Sequence, residues 1–435
     1  MKHAKHSGDN NKKNANDEIL LCNDIYSSSS RRRRKSISAK ELKRRKILNA
    51  IAKILLPIGL LTAAALVIYI SVVQLMPLTY ILAIILVLGI LVAVHLRLFS
   101  GSKRHIKRKR IISIALSVVT VIVSCFGMSY VGIFNGAIGD IAIGNGENDD
   151  KVDNISKHPF IVYLSGIDTR NYGEIADKSR SDVNMIVAVN PRQKRILMVS
   201  TPRDYYVALE GDTNKMDKLT HAGSYGIECS MSTLEALYDI EFNYYAKVNF
   251  MSVVDIVDAL GGVTVNSEYN FSSKHTLTGE TFTYKKGENF LNGQQALTFA
   301  RERESFANGD RQRGVHQQEL IKQVVKKAIS PSILIPSNIE NIMDAISKNT
   351  KTNFTEKEIK KLITYQMSSM GKEWDFESMS ADGTGDMAYT YSYSAQKLYV
   401  MRPDMETVNA AKEALDAIMS GEDLPKDTES NVSSK

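Results

Sequence analysis

Three apolar runs, at roughly 47–73, 78–99 and 111–134, constrain this chain more than any other feature. A helix needs about 20 apolar residues to cross the hydrocarbon core of a bilayer, and each run is that long. Lys53 near the start of the first run is tolerated because its ammonium can snorkel to the interface. A short uncharged turn with Pro77 separates the first two runs. The segment from Arg97 to Arg110 separates the second and third, and it holds no acid at all. Basic loops stay on the cytoplasmic side. Three crossings then send everything after about residue 135 outside. The alternative reading is a set of soluble core helices. A cleaved leader is not expected, because the polar segment ahead of the first run is long and two more runs follow.

Charge divides along the same line. Residues 1–150 hold 22 Lys+Arg against 9 Asp+Glu, a formal +13, and the remainder carries −6. The alkaline character belongs to the membrane-proximal third and not to a nucleic-acid-binding globule. Residues 1–46, with Arg31–Arg34 and Lys43–Lys46, read as a polar, disordered cytoplasmic tail. Cys22, Cys125 and Cys229 show neither metal spacing nor a disulfide framework. The expected organisation is a tail (1–46), a three-helix anchor (47–135), a Gly/Asn/Asp-rich stalk (136–158), an external catalytic domain (159–420) and a polar tail (421–435).

From Phe160 the pattern turns α/β. F-I-V-Y-L-S-G-I-D reads as a buried strand, followed by strands at Val183–Val189 and Arg195–Ser200. A helix is expected near 229–238, an amphipathic helix before Gly261-Gly262, helix again over 338–370, extended structure over 374–400 and a helix over 403–420. The fold class expected is α/β, with a central mixed sheet flanked by helices in an α-β-α sandwich, preceded by three transmembrane helices.

One stretch carries unusual chemistry. Between Phe299 and Gln318 lie Arg301, Arg303, Arg311 and Arg313. Asn292 is a good N-cap for a short helix before them. If the chain becomes extended at Arg301, Arg301 and Arg303 point to one side. Asn308-Gly309 signals a turn, and Asp310 is placed to cap a helix carrying Arg313 and Gln317 on one face. Guanidiniums and helix starts both favour phosphate oxygens, so this many suggests a pyrophosphate. The bland alternative is a solvated charged face. Strand ends add Asp168 with Arg170, Arg180 with Asp182, and Arg203 with Asp204. Two carboxylates beside arginines suit a magnesium ion bridging phosphates, or else structural ion pairs.

The motifs G-I-D-T-R, R-S-D-V-N-M, T-P-R-D, D-K-L-T-H-A, L-N-G-Q-Q-A-L-T-F-A-R-E-R and G-D-R-Q-R-G-V-H-Q-Q resemble those of the LytR-CpsA-Psr family of cell-envelope proteins. The resemblance spans about 159–330 and continues toward 420. It implies transfer of a glycopolymer, such as wall teichoic acid or capsule, from an undecaprenyl-pyrophosphate carrier to peptidoglycan. It implies that Asp168 and Asp182 hold Mg2+ (or Mn2+) and that Arg203, Arg301, Arg303 and Arg313 bind phosphates beside Gln317. Arg180, Asp204, Lys218, Asp310 and Arg311 sit inside the motifs. Relatives often carry an aromatic between the two arginines, where this chain has Glu302.

The expected chemistry is phosphoryl transfer by positioning and charge. A sugar hydroxyl attacks the sugar-side phosphorus, polyprenyl phosphate leaves, and Asp182 or Asp204 takes the proton. An apolar slot for the lipid is sought among Val248, Phe250, Val253, Val254, Val257, Val324 and Val325, for which ordinary core is the competing reading. Competing functions are a polyprenyl-pyrophosphate hydrolase and a non-enzymatic membrane regulator of envelope genes. Partners expected are the lipid-linked glycan, peptidoglycan and the membrane, with no nucleic acid.

Overall fold

The computed structural model describes residues 39–100, 106–144, 155–167, 175–249, 252–275, 278–307, 309–330, 336–369 and 372–425. The chain divides into two compact units, residues 1–62 with 89–122, and residues 63–88 with 123–435.

The three apolar runs form helices α1 (Ala39–Val73), α2 (Leu78–Ser100) and α3 (Ile106–Ile141). All three are long and apolar enough to cross a membrane. α1 starts eight residues earlier than hydropathy alone suggests. Its basic leader is made of good helix formers and carries an Arg45–Glu41 pair at 3.1 Å. In the first unit His95 is buried and bridges helices, with Nε2 3.2 Å from Ser117 Oγ.

In the second unit α3 runs to Ile141 and leads into β1 (Ala142–Gly144). Residues 136–144, read from sequence as the start of a stalk, therefore lie in helix and sheet. The chain continues as β2 (Phe160–Ile167), β3 (Val183–Asn190), β4 (Arg195–Thr201), β5 (Tyr206–Ala208) and β6 (Met216–Lys218). Helices α4 (Leu219–Tyr225) and α5 (Ile227–Tyr238), strand β7 (Tyr244–Asn249) and helix α6 (Ser252–Ala259) follow. Strands β8 (Val263–Ser267), β9 (Phe271–Lys274), β10 (Thr281–Tyr284) and β11 (Gly287–Leu291) precede α7 (Gly293–Arg301) and α8 (Gly309–Ala328). The rest is α9 (Pro336–Asn349), β12 (Thr350–Thr355), α10 (Glu356–Ser368), β13 (Asp375–Ser380), β14 (Gly383–Thr390), β15 (Tyr393–Pro403) and α11 (Met405–Ser420).

The central sheet has seven strands in the order β1-β12-β7-β2-β3-β4-β13. It is mixed: β2 pairs antiparallel with β3 and parallel with β7, and β13 pairs parallel with β4. Alternation along the strands loads both faces. Ile161, Tyr163, Ile186, Ala188, Leu197 and Val199 face α5 and α11, where Leu234, Tyr238, Val408 and Leu415 meet them. Met185, Ile196, Met198 and Phe376 face the other way, toward Ile321 and Val325 of α8. Helices thus cover both faces, as the α-β-α reading expected. The unbroken helix expected over 338–370 is instead helix, strand and helix, because β12 adds to the sheet beside β7.

A second core lies under α7. Val257, Val263, Val265, Phe271, Tyr284, Phe299, Leu320 and Ile342 pack there from α6, β8–β10, α7, α8 and α9. Within this unit the connection between α1 and α2 packs on α10: Tyr80 donates to the Met367 carbonyl at 3.2 Å and Thr364 to the Gln74 carbonyl at 3.2 Å.

Candidate active site

Helix α7 begins where its N-cap dictates. Asn292 accepts from the Gln295 N–H at 2.9 Å, and Gln295 Oε1 accepts from the Asn292 N–H at 3.0 Å, a closed capping box. Gly293 lets α7 approach α6; a Cβ there would lie 2.3 Å from the Val254 carbonyl oxygen. The helix does not stop before Arg301, as an extended 301–303 segment would require. Arg301 is its last residue, and Glu302 is the first to turn extended. The chain then folds back so that the start of α8 touches it. A Cβ on Gly309 would sit 2.0 Å from the Arg303 carbonyl oxygen, so no other residue fits without moving the loop. Asp310 lies within α8 and not ahead of it; its side chain is outside the described residues.

The carboxylates come from strand ends. Asp182 directly precedes β3, and its N–H donates to the Gly166 carbonyl at 2.8 Å. The segment before it is pinned by buried Lys247, whose Nζ donates to the carbonyls of Ala176 and Asp177 at 2.7 and 2.8 Å. Burial pushes the Lys247 ammonium down to about 8. Arg203 follows β4 and donates Nη1 to Asp182 Oδ1 at 2.7 Å. Its Nε lies 3.6 Å from Asp204, and Lys218 Nζ donates to Asp204 at 2.8 Å. Charges alternate along this chain of four, so each carboxylate is matched.

These elements surround a cavity of about 790 Å³. Asp182, Arg203, Arg301, Arg303, Arg313 and Gln317 all line it. Arg313 and Gln317 share a face of α8, as their spacing predicts. Gln317 is buried and anchored, its Nε2 donating to the Ala300 carbonyl at 3.3 Å. Four guanidiniums and Lys274, against the carboxylates of Asp182, Glu302 and Glu304, leave the concavity net positive and suit a doubly charged phosphate anion better than a neutral ligand.

Other expected residues lie elsewhere. Asp204 and Lys218 stand behind Arg203, off the lining. Arg180 is exposed and off the lining. Arg311 turns outward and pairs with Asp382 at 2.9 Å. Asp168 lies outside the described residues. Among the described residues no group of three or more His, Cys, Asp and Glu gathers to hold a metal. Asp182 offers one carboxylate, which fits an ion that completes its shell with phosphate oxygens and water.

Several lining residues were not singled out from sequence. The end of β9 contributes Ser273 and Lys274, and the turn after it His275 and Thr278. His275 Nδ1 accepts from the Thr278 N–H at 3.1 Å, so a neutral ring carries its proton on Nε2. Glu302 also lines the cavity. Burial favours its neutral form, but hydrogen bonds from Ser273 and Ser305 outweigh this and hold the carboxyl below its usual value. Behind the lining, His316 stacks on Phe299 with centroids 4.2 Å apart, and burial pushes it down to about 4.

The expected lipid slot is mostly core. Val257 is fully buried, Val253 and Val324 pack on the second core, and Val325 packs under the sheet. Val248 belongs to β7, and Val254 pairs with Leu297. Phe250 is outside the described residues. The apolar residues on the cavity wall are Val183 and Leu297.

Comparison with known proteins adds a lineage. The model of the LytR_cpsA_psr family matches residues 139–407. The polyisoprenyl-teichoic acid–peptidoglycan teichoic acid transferase TagU of Enterococcus faecalis is 36% identical over 239 residues, 55% of this chain and 75% of the relative. The Bacillus licheniformis protein of the same name is 32% identical over 58% of this chain and 81% of its own. The crystal structure of protein gbs0355 from Streptococcus agalactiae superposes with a TM-score of 0.50 at 26% identity, covering 62% of this chain and 90% of that one.

Proposed function

The chain belongs to the LytR_cpsA_psr family, and from that premise we propose that it transfers a teichoic acid from a polyprenyl-pyrophosphate carrier to a peptidoglycan hydroxyl. The relatives bear the name of teichoic acid transferases. The observation that carries the reading here is the convergence of Arg203, Arg301, Arg303 and Arg313 with Asp182 on one cavity. Undecaprenyl is the expected carrier lipid, and a capsule-type glycan is an alternative cargo.

The chemistry follows from the lining. The arginines bind the diphosphate and neutralise charge that grows on the leaving polyprenyl phosphate. The acceptor oxygen forms a new bond to the sugar-side phosphorus, and the bond from that phosphorus to the bridging oxygen breaks. The hydroxyl proton goes to a carboxylate. Asp182 lines the cavity whereas Asp204 lies behind Arg203, which supports Asp182 in that role. Magnesium or manganese would be held by Asp182, with Asp168 as its expected partner, and when bound supplies further neutralisation of the diphosphate. The acid-free basic loop between α2 and α3 supports a cytoplasmic loop and an external catalytic domain on a multi-pass anchor.

The test is product analysis on a lipid-pyrophosphate-linked glycan, with and without peptidoglycan. Polymer attached to the acceptor, lost in Arg301→Ala, is the expected result. Release of lipid phosphate independent of acceptor would make the protein a hydrolase. An envelope phenotype that survives alanine at Arg301 and Arg303 but needs residues 1–46 would make it a regulator.

A further inference from the structure

We propose that Glu302 is a positioning residue whose carboxylate fastens the loop carrying Arg301 and Arg303 to strand β9, an inference that rests on reading those arginines as phosphate ligands. Glu302 stands between them in sequence and is the first residue beyond α7. It is buried, yet it reaches the cavity wall. A carboxylate there repels the anion that the guanidiniums attract, so its presence calls for another explanation.

Its hydrogen-bond partners supply one. The Ser305 N–H donates to Oε1 at 2.9 Å. The Glu304 N–H and the Ser273 hydroxyl donate to the same carboxylate. The two amides close a turn directly after Glu302, and the hydroxyl comes from β9. A second link runs beside it, where Ser305 Oγ donates to the Ser272 carbonyl at 3.1 Å. Attachment to two consecutive residues of one strand fixes the tilt of the loop as well as its distance. Farther along, the Phe306 N–H donates to the Arg303 carbonyl at 3.3 Å, and the Phe306 ring meets Phe271 of β9 with centroids 5.1 Å apart. Arg303 is thereby held from both sides. Lys274 ends β9 and lines the cavity, so the attachment also sets the arginine loop against that wall.

The charge matters as much as the reach. An ionised carboxylate only accepts, which suits three donors converging on it. A neutral amide of the same shape has one oxygen and turns an NH2 group toward a donor. The same donors make Glu302 a weak proton acceptor, because they hold its carboxyl ionised below the usual range. Its role is therefore to place its neighbours and not to take the acceptor's proton.

The experiment uses full-length protein in detergent, with hydrogen exchange of the loop amides and transfer kinetics on a lipid-pyrophosphate-linked glycan. Glu302→Gln should speed exchange at Ser305 and raise the donor KM about tenfold, with the acceptor KM unchanged. Ser273→Ala, a milder change, should shift both in the same direction by less. The double variant should be no worse than Glu302→Gln alone, because both act through one attachment. Parental exchange and donor KM in Glu302→Gln overturn the proposal. So does faster exchange or early unfolding with a parental donor KM, which would make the residue structural only. A fall in kcat with exchange and donor KM unchanged also overturns it and makes Glu302 a catalytic base. If Arg301→Ala transfers like the parent, the phosphate reading itself fails, and exchange at Ser305 still decides whether Glu302 holds the loop.

Discussion

Arg203 reaches Asp182 with one nitrogen at 2.7 Å and stands 3.6 Å from Asp204 with another, so a single guanidinium ties two loops at the carboxyl-end side of the sheet. Asp182 precedes β3 and Arg203 follows β4, and those strands are antiparallel neighbours. The pair therefore joins loops carried by neighbouring strands of the central sheet. Removing the arginine leaves Asp182 on the cavity wall without its nearest cation. Arg203→Lys keeps the charge and loses the two-sided reach, so it should not restore activity. The measurement is transfer rate for both variants, and full activity in the lysine variant would contradict it.

Arg301 and Arg303 should act on the reaction more than on the fold. Alanine at Arg301 should lower kcat by roughly 10²–10³-fold, the usual effect of losing one preorganised donor to a developing charge. Thermal unfolding of the variant should stay close to that of the parent. A variant that unfolds early and retains its specific activity would show the residue to be structural.

Divalent metal removal is a separate matter. Chelation should abolish transfer, and added Mg2+ or Mn2+ should restore it in the parent but not in Asp182→Asn. Activity indifferent to chelator would remove the metal from the account.

His316 predicts a pH effect on stability. Its folded value is pushed down to about 4 by burial, against an ordinary value of 6.5. Below 6.5 the unfolded chain binds a proton that the folded chain refuses. Stability is therefore full above about pH 6.5 and falls as pH drops toward 4, by on the order of 3 kcal/mol across that window. His316→Phe, an aromatic among Phe271, Phe299 and Phe306, should flatten that slope. Unfolding free energies at pH 7 and pH 5 for both proteins decide it.

Gly309→Ala tests the loop that carries Arg303. The new methyl would meet the Arg303 carbonyl, and the loop has to yield. Roughly 1–3 kcal/mol of stability should be lost, with donor KM raised as Arg303 moves. An unchanged KM would mean that Arg303 works from more than one position.

How much of this was legible in the sequence varies by element. β2, β3 and β4 were, because each is a continuous apolar run closed by a turn signal. The start of α7 was, because Asn292 is a recognisable N-cap. The pairing of Arg313 with Gln317 followed from helical spacing. The end of α7 was not legible: no glycine or proline marks it, and tertiary packing of Ala300 and Phe299 holds Arg301 in the helix. β12 was hidden because T-K-T-N-F-T is polar, short and half-exposed, and only its partner β7 makes it a strand. His275 and Thr278 reach the cavity through hairpin geometry that no local pattern encodes. The outward turn of Arg311 was invisible without Asp382, 71 residues away.

Strand β1 has a practical bearing on anyone who would cut the three apolar helices away. It lies against β12 at the rim of the sheet, and it is reached straight from α3. A fragment trimmed to residue 155 would strip β12 of that neighbour and leave a row of amide and carbonyl groups open to whatever strand came by. Such a truncate should clump at high concentration, whereas one that retains 139–144 should stay monodisperse.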